Sequence, residues 1–250
     1  MINLKYMHYK TNKPVVLFDL YQTLVDIEID EDSEEFWIVI ENYLNQYGNR
    51  LSPSGLKELY LELDRQIKSD TLKGQSILET LLPRYLYILT GQKVNLGQFY
   101  GFISIFRRAS RQKLIIRKYT QPLLSKLERK GYTCGLVSNT EAVFTKIDLE
   151  DLKLADKFKC IVLSSDVGAQ KPDPKPYFTA LSSLGASPEA AIFIGDNFEE
   201  DIVGAHNAGI RSILLHDIPQ EYLDRLPESC VGIIPTNGRG LYKKIAHSLK

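Results

Sequence analysis

The stretch that decides the fold covers residues 15–26 and reads VVLFDLYQTLVD. It opens with four consecutive apolar residues, directly after Pro14, and this pattern predicts a strand that is buried on both faces. The apolar run stops at Asp19, so the strand would present a carboxylate at its carboxyl end, where open α/β sheets bind their ligands. An aspartate in this place also commonly begins a turn or caps a helix, so the rest of the chain has to separate the two interpretations.

Composition indicates an ordinary globular protein. The chain has 250 residues, of which 44% are hydrophobic and 25% are charged. Basic and acidic residues are equal at 31 each, so we expect no nucleic acid and no membrane surface as a partner. The sequence shows neither a signal-peptide core nor a run as long as a transmembrane helix, and we predict a cytoplasmic protein. Cys134 and Cys160 lie in strand-like apolar runs, which predicts buried free thiols.

The organisation of the chain is an α/β pattern with a helical interruption. Residues from about 27 to about 112 carry apolar residues mostly at helical spacing and show no clear strand. From residue 120 onward, apolar strand-like runs alternate with amphipathic stretches, which predicts a parallel sheet with right-handed crossovers. We therefore predict one α/β core domain, residues 1–26 and 113–250, with a helical cap domain inserted at 27–112. A cap that enters after the first strand would lie over the crevice and can act as a lid.

Polar side chains follow four of the predicted strands. These ends are Asp19, Ser138 with Asn139, the Ser164–Lys171 segment, and Asp196. Each has an ordinary explanation by itself, such as a helix cap or a solvated loop lysine. In a parallel sheet, however, all four ends lie on one edge, so their side chains can converge. The joint pattern predicts a functional site at this edge.

These strand ends resemble the haloacid dehalogenase-like hydrolase superfamily. FDLYQT is similar to its first motif, VSN to the second, Lys171 in QKPDPKPY to the third, and GDNFEED to the fourth. The resemblance covers about residues 14–26 and 115–217. It implies a Rossmann-like parallel sheet core with an α-helical cap between the first and second motifs.

The resemblance also implies roles in catalysis and substrate binding. Asp19 would be the nucleophile that forms an aspartyl intermediate. Lys171 would contact the substrate and offset the charge of the transferred group and of the aspartates. Ser138 and Asn139 would donate hydrogen bonds at the phosphate, and Thr23, also at the substrate site, would brace the loop that carries the nucleophile.

A magnesium site is the cofactor site that the resemblance implies. Asp19, Asp196 and the backbone carbonyl of Tyr21 would hold Mg²⁺ through oxygen ligands. Asp201 would complete the site as an outer partner that orients water or the lysine of the third motif.

Tyr21 departs from the pattern of the family's phosphatases. They usually have a second aspartate at this position, which protonates the leaving alcohol and then activates water. The Asp-x-Tyr-x-Thr pattern resembles the (S)-2-haloacid dehalogenase branch instead, and Tyr177 also resembles a position of that branch. No arginine corresponds clearly to the one that binds the substrate carboxylate in the dehalogenase cap, since Arg50 and Arg65 are more typical of surface residues.

The fourth motif favours a phosphatase. A haloacid carries a carboxylate, which Asp19, Asp196 and Asp201 would repel without a metal. We therefore predict a Mg²⁺-dependent hydrolase, a phosphoric monoester hydrolase of small phosphorylated metabolites. The alternatives are an (S)-2-haloacid dehalogenase and a weakly active or non-catalytic binding protein on the same fold.

A basic cluster near the end of the cap is expected to form a solvated helix face; its members are Arg107, Arg108, Arg111, Lys113, Arg117 and Lys118.

Overall fold

The computed structural model describes residues 14–70, 76–93, 95–216 and 223–249. The strands are β1 (Val15–Phe18), β2 (Val25–Ile29), β3 (Arg111–Ile116), β4 (Thr133–Ser138), β5 (Cys160–Leu163), β6 (Ala191–Gly195), β7 (Arg211–Leu215) and β8 (Cys230–Ile234). The α-helices are α1 (Glu34–Asn45), α2 (Pro53–Asp70), α3 (Leu78–Thr90), α4 (Leu96–Ser110), α5 (Thr120–Arg129), α6 (Ala142–Asp151), α7 (Ser164–Val167), α8 (Lys175–Leu184), α9 (Gly204–Asn207) and α10 (Leu241–Ser248). A π-helical turn, Phe198–Val203, leads into α9.

Six of the strands form one parallel sheet in the order β5-β4-β1-β6-β7-β8. β1 lies inside the sheet, between β4 and β6. Its side chains alternate between two hydrophobic clusters, with Val16 and Phe18 in one and Val15 and Leu17 in the other. Burial on both faces explains why this strand contains no polar residue. The predicted α/β fold is confirmed, and β1 has the predicted bounds.

Helices α1 to α4 pack around an aromatic-rich cluster, to which α6 also contributes. Ser33 caps α1 by accepting a hydrogen bond from the backbone N–H of Phe36 at 3.4 Å. α3 runs through Pro83 without a break, because the packing of buried side chains on both sides of it outweighs the low helix propensity of proline. No helix in the described ranges is both long and apolar enough to cross a bilayer.

Two short strands join the helical insertion to the sheet domain, which corrects the prediction of a segment without strands. β2 and β3 pair in antiparallel fashion, with Val25 opposite Ile116, and form a separate two-stranded ribbon. The predicted domain boundaries, after residues 26 and 112, therefore fall inside these strands. Sequence patterning missed them because their residues are only partly buried and their pairing joins segments about 90 residues apart.

Candidate active site at the carboxyl edge of the sheet

The polar strand ends meet at one edge of the sheet, as predicted. Asp19 follows β1 directly, and its backbone N–H donates to the carbonyl of Ile194 in the neighbouring β6 at 2.9 Å. Asp196 follows β6, and Asp201 lies in the π-helical turn. One carboxylate oxygen from each of the three aspartates lies within 4.8 Å of the others. The tertiary structure therefore concentrates three acidic groups in a largely buried place.

Lys171 lies between two of these acids. Its ammonium Nζ is 2.8 Å from Oδ1 of Asp19 and 2.5 Å from Oδ1 of Asp201, and the side chain is 1% exposed. Burial alone lowers the pKa of Lys171, but the two carboxylates outweigh it and hold the pKa above its usual range. The ammonium is therefore a fixed positive charge beside Asp19.

Asp201 is held on both of its oxygens. Oδ1 accepts from Lys171, and Oδ2 accepts from the backbone N–H of Asn197 at 2.9 Å. Burial raises the pKa of Asp201, and Lys171 counteracts this. Gly195 leaves room for this carboxylate, because a Cβ at position 195 would lie 2.2 Å from Oδ2 of Asp201. Since both oxygens have protein donors, the geometry fits the predicted outer position of Asp201.

Asp196 is oriented by Thr23. The Thr23 hydroxyl donates to Oδ1 of Asp196 at 2.7 Å, and the Thr23 carbonyl accepts a hydrogen bond from the hydroxyl of Tyr119. Burial raises the pKa of Asp196, and the bond from Thr23 opposes that shift. Thr23 thus braces the loop after the first strand and directs a carboxylate. Its predicted role at the substrate stays a prediction.

Two residues at the carboxyl end of β4 hold Asp19 and Lys171 in place. The Ser138 hydroxyl donates to Oδ1 of Asp19 at 3.1 Å. The Asn139 side chain accepts from the backbone N–H of Lys171 at 2.7 Å and donates to the Lys171 carbonyl at 2.9 Å. Both polar atoms of the Asn139 side chain are thus used to hold the loop of Lys171. The predicted contact of Asn139 with a phosphate stays a prediction.

The donor set fits Mg²⁺. Both hydrogen-bond donors on Asp19 contact Oδ1, and no described residue donates to Oδ2. Among the described residues none donates to the backbone carbonyl of Tyr21 either. Carboxylate and carbonyl oxygens are the hard ligands that Mg²⁺ prefers, and the neighbouring Asp196 supplies a further carboxylate. These groups would hold the ion.

Tyr21 is engaged in a buried ion-pair network. Its hydroxyl donates to Oδ2 of Asp148 at 2.5 Å and accepts from Nη2 of Arg107 at 3.2 Å. Burial, followed by the charge of Asp148, raises the pKa of Tyr21 well above its usual range. The hydroxyl is thus neutral and already occupied by protein partners.

The basic cluster is paired with acids, which corrects the prediction of a solvated face. Arg107 is 7% exposed, and its Nη2 lies 2.6 Å from Oδ2 of Asp148. Arg111 reaches Oδ1 of the same aspartate at 2.9 Å. The remaining pairs are Arg108–Asp151, Arg111–Asp151, Lys113–Glu28 and Arg117–Asp26, while Lys118 is exposed. The sequence signal for this network was present but weak: two arginines four residues apart and two aspartates three residues apart.

Three residues that were compared with the dehalogenase pattern are either packed in the core or exposed on the surface. Tyr177 is fully buried, and its hydroxyl donates to the backbone carbonyl of Glu200 at 2.6 Å. Arg50 and Arg65 are exposed, as the sequence predicts. Tyr177 therefore has a packing role in this structure.

Comparisons with known proteins identify the family of the chain. The family model described as haloacid dehalogenase-like hydrolase matches residues 16–215. A glyceraldehyde 3-phosphate phosphatase of Methanothermobacter thermautotrophicus is 36% identical over 97 residues, which is 39% of this chain and 43% of that protein. A phosphoserine phosphatase of Thermus thermophilus is 33% identical over 93 residues, or 37% of each chain. Both matches therefore span less than half of the relative.

A solved structure of a 2-haloacid dehalogenase from Pseudomonas syringae pv. Tomato DC3000 is also similar. It has a TM-score of 0.64 and 25% identity, and the likeness covers 94% of this chain and 99% of that one. A phosphatase structure from Thermococcus onnurineus has a TM-score of 0.56 and 21% identity, and it covers 92% and 96% of the two chains. The likeness thus extends over nearly the whole chain, including the helical insertion.

Proposed function

Because the chain belongs to the haloacid dehalogenase-like hydrolases, we propose that it is a Mg²⁺-dependent phosphatase of small phosphorylated metabolites. The observation that carries this proposal is the ammonium of Lys171 between Asp19 and Asp201, with Asp196 beside them. A cation between acids, together with hard oxygen ligands, suits a dianionic phosphate better than a free carboxylate. The phosphatases among the relatives support the same choice.

In the proposed reaction, Asp19 is the nucleophile. Its carboxylate attacks phosphorus, the bond to the leaving oxygen breaks, and the aspartyl phosphate that forms is then hydrolysed by water. Lys171 and Ser138 hold Oδ1 of Asp19 and so fix the orientation of the carboxylate. The same ammonium balances negative charge on the phosphoryl oxygens. Mg²⁺, when bound, supplies further charge neutralisation at the phosphate.

The leaving group is where this site departs from its family's pattern. Position 21 holds a tyrosine whose hydroxyl donates to Asp148, so it is not free to protonate a leaving alcohol. General acid catalysis typically contributes about 10²–10⁴-fold to a rate. The favoured substrates are therefore phosphates whose leaving groups need little protonation, such as acyl or aryl phosphates.

A dehalogenase is the second candidate, because Tyr21 and the likeness to a dehalogenase structure favour it. The acidic cluster argues against it. A haloacid carboxylate would enter a place with Asp19, Asp196 and Asp201 in close proximity and would be repelled unless a metal were present.

One assay separates these functions. p-Nitrophenyl phosphate and 2-chloropropionate are each incubated with the protein, once with Mg²⁺ and once with chelator. We expect phosphate release that requires Mg²⁺, and no chloride release. Chloride release that persists in chelator would overturn the proposal in favour of a dehalogenase. Inactivity on both substrates and on a broad panel of phosphates would favour a non-catalytic binding protein.

A further inference from the structure

Helix α6 belongs to the sheet domain in sequence but packs with the inserted helices. It connects β4 to β5, yet Phe144 and Ile147 are members of the aromatic cluster of the insertion. The ring of Phe144 stacks on Phe106 of α4, with centroids 5.7 Å apart and an interplanar angle of 14°. The insertion and the sheet domain therefore share one packed helix.

Hydrogen bonds tie both ends of α6 to the insertion. Glu141, just before α6, accepts from the Ser76 hydroxyl at 2.7 Å and from the backbone N–H of Ile77 at 2.9 Å, directly before α3. At the other end, Asp151 pairs with Arg108 at 2.7 Å. Contacts at the start, middle and end of α6 hold the insertion in one position on this helix.

Asp148 connects this junction to the loop of the candidate nucleophile. It is completely buried, and its carboxylate accepts from Arg107, from Arg111 and from the hydroxyl of Tyr21. Tyr21 is two residues from Asp19, and the turn that follows is tight. The backbone N–H groups of Leu24 and Val25 both donate to the carbonyl of residue 20, at 2.7 and 3.0 Å. A displacement of Asp148 would therefore be transmitted through the tyrosine to this turn.

We propose that Tyr21 is a positioning residue, which anchors the loop of Asp19 to the Arg107–Asp148 pair and so couples the seating of the insertion on α6 to the alignment of the nucleophile. This inference rests on the proposed function for its kinetic test. It assigns to the tyrosine hydroxyl a task other than proton transfer to the substrate. Arg107 lies in the insertion and acts through Tyr21 and Asp148.

Kinetic tests use Tyr21→Phe, Arg107→Lys and the double variant, with Tyr85→Phe as the matched control. Tyr85 is fully buried, whereas Tyr21 is partly buried, and Tyr85→Phe removes a hydroxyl hydrogen bond to the Leu56 carbonyl at 3.0 Å, inside the insertion. With p-nitrophenyl phosphate and Mg²⁺, Tyr21→Phe should lower kcat by about 10- to 100-fold at nearly unchanged KM. The control should stay close to the parent, and the double variant should lose little more than the larger single effect.

Substrates with different leaving groups distinguish a positioning role of Tyr21 from direct proton transfer by its hydroxyl. A positioning role predicts that Tyr21→Phe lowers kcat by the same factor for an aryl and an alkyl phosphate. A loss that grows with the basicity of the leaving group, or no loss in Arg107→Lys, would overturn the proposal in favour of an acid role for the tyrosine. Unchanged kcat in Tyr21→Phe would overturn it as well.

Amide hydrogen exchange provides a readout that does not need turnover. Tyr21→Phe should speed exchange in the peptide that contains Leu24 and Val25 by about tenfold or more, while Tyr85→Phe should not. Unchanged exchange in Tyr21→Phe would overturn the inference even in an active enzyme. If the parent protein hydrolyses no phosphate, the proposed function fails, and the exchange result still decides whether Tyr21 anchors the loop.

Discussion

Replacing Lys171 with methionine tests whether its ammonium stabilises the buried carboxylates of the site. Methionine keeps an unbranched, apolar side chain of similar reach but removes the ammonium. That ammonium lies 2.8 Å from a carboxylate oxygen of Asp19 and 2.5 Å from one of Asp201, and both aspartates are largely buried. The variant therefore leaves these two carboxylates, with Asp196 nearby, without the cation that lies between them.

The size of the effect follows from burial. A Coulomb attraction between unit charges at 2.8 Å with an effective dielectric constant of 20 is about 6 kcal/mol, most of which is offset by the desolvation of the ions. Measured losses on removing one partner of a buried ion pair are about 3–5 kcal/mol. Since domains of this kind have unfolding free energies of about 5–15 kcal/mol, Lys171→Met should be visibly destabilised in chelator.

The assay is urea unfolding followed by circular dichroism, in chelator and at a series of Mg²⁺ concentrations. A ligand that binds only the native state, at a free concentration 100 times its dissociation constant, adds about 2.7 kcal/mol to the free energy of unfolding. Mg²⁺ should stabilise Lys171→Met more than the parent, because the variant lacks the ammonium that repels the ion. Hydrolysis of p-nitrophenyl phosphate should fall by about 10²–10³-fold or more.

Lys113→Met is the matched control. Lys113 pairs with Glu28 at 2.9 Å on the surface, with side chains that are 35% and 63% exposed, so its loss should change stability little. Unfolding of Lys171→Met in chelator at the same urea concentration as the control would refute this account of the charges at the site. A failure of Mg²⁺ to stabilise either the parent or the variant would refute it too.

Three further predictions concern single positions. Tyr21→Asp should raise the ratio of kcat on an alkyl phosphate to kcat on an aryl phosphate by about tenfold or more, because an acid is restored beside the leaving group while the lost anchor slows both substrates alike; an unchanged ratio would contradict the leaving-group argument. Gly195→Ala should abolish most hydrolysis, since the new Cβ would displace Asp201, and full activity would contradict that packing. Cys134 and Cys160 should react with Ellman's reagent at pH 8 only on unfolding, because burial raises the pKa of each thiol to about 12; rapid labelling of the folded protein at these positions would contradict their burial.

Much of the sheet domain could be predicted from local patterns. β1 was located to the residue because a strand buried on both faces has an unbroken apolar run with sharp ends. In the insertion, the caps of α1 and α4 are short-range hydrogen bonds of Ser33 and Asn95. The β2–β3 ribbon was missed because its exposed face carries mixed residues and its pairing is distant in sequence.

The sequence by itself determined the family, the order of the strands along the chain and the carboxylates and lysine at their ends. These features depend on residue type and on short-range spacing, so the amino-acid sequence alone is enough to predict them. Only the tertiary structure decided what Tyr21, the second residue after Asp19, does. The hydroxyl of Tyr21 meets Asp148, 127 residues away, and Asp148 meets Arg107, 41 residues away. The spacing of the arginines and of the aspartates along the chain does not identify these partners, because the pairings exist only once α4 and α6 pack together and exclude water.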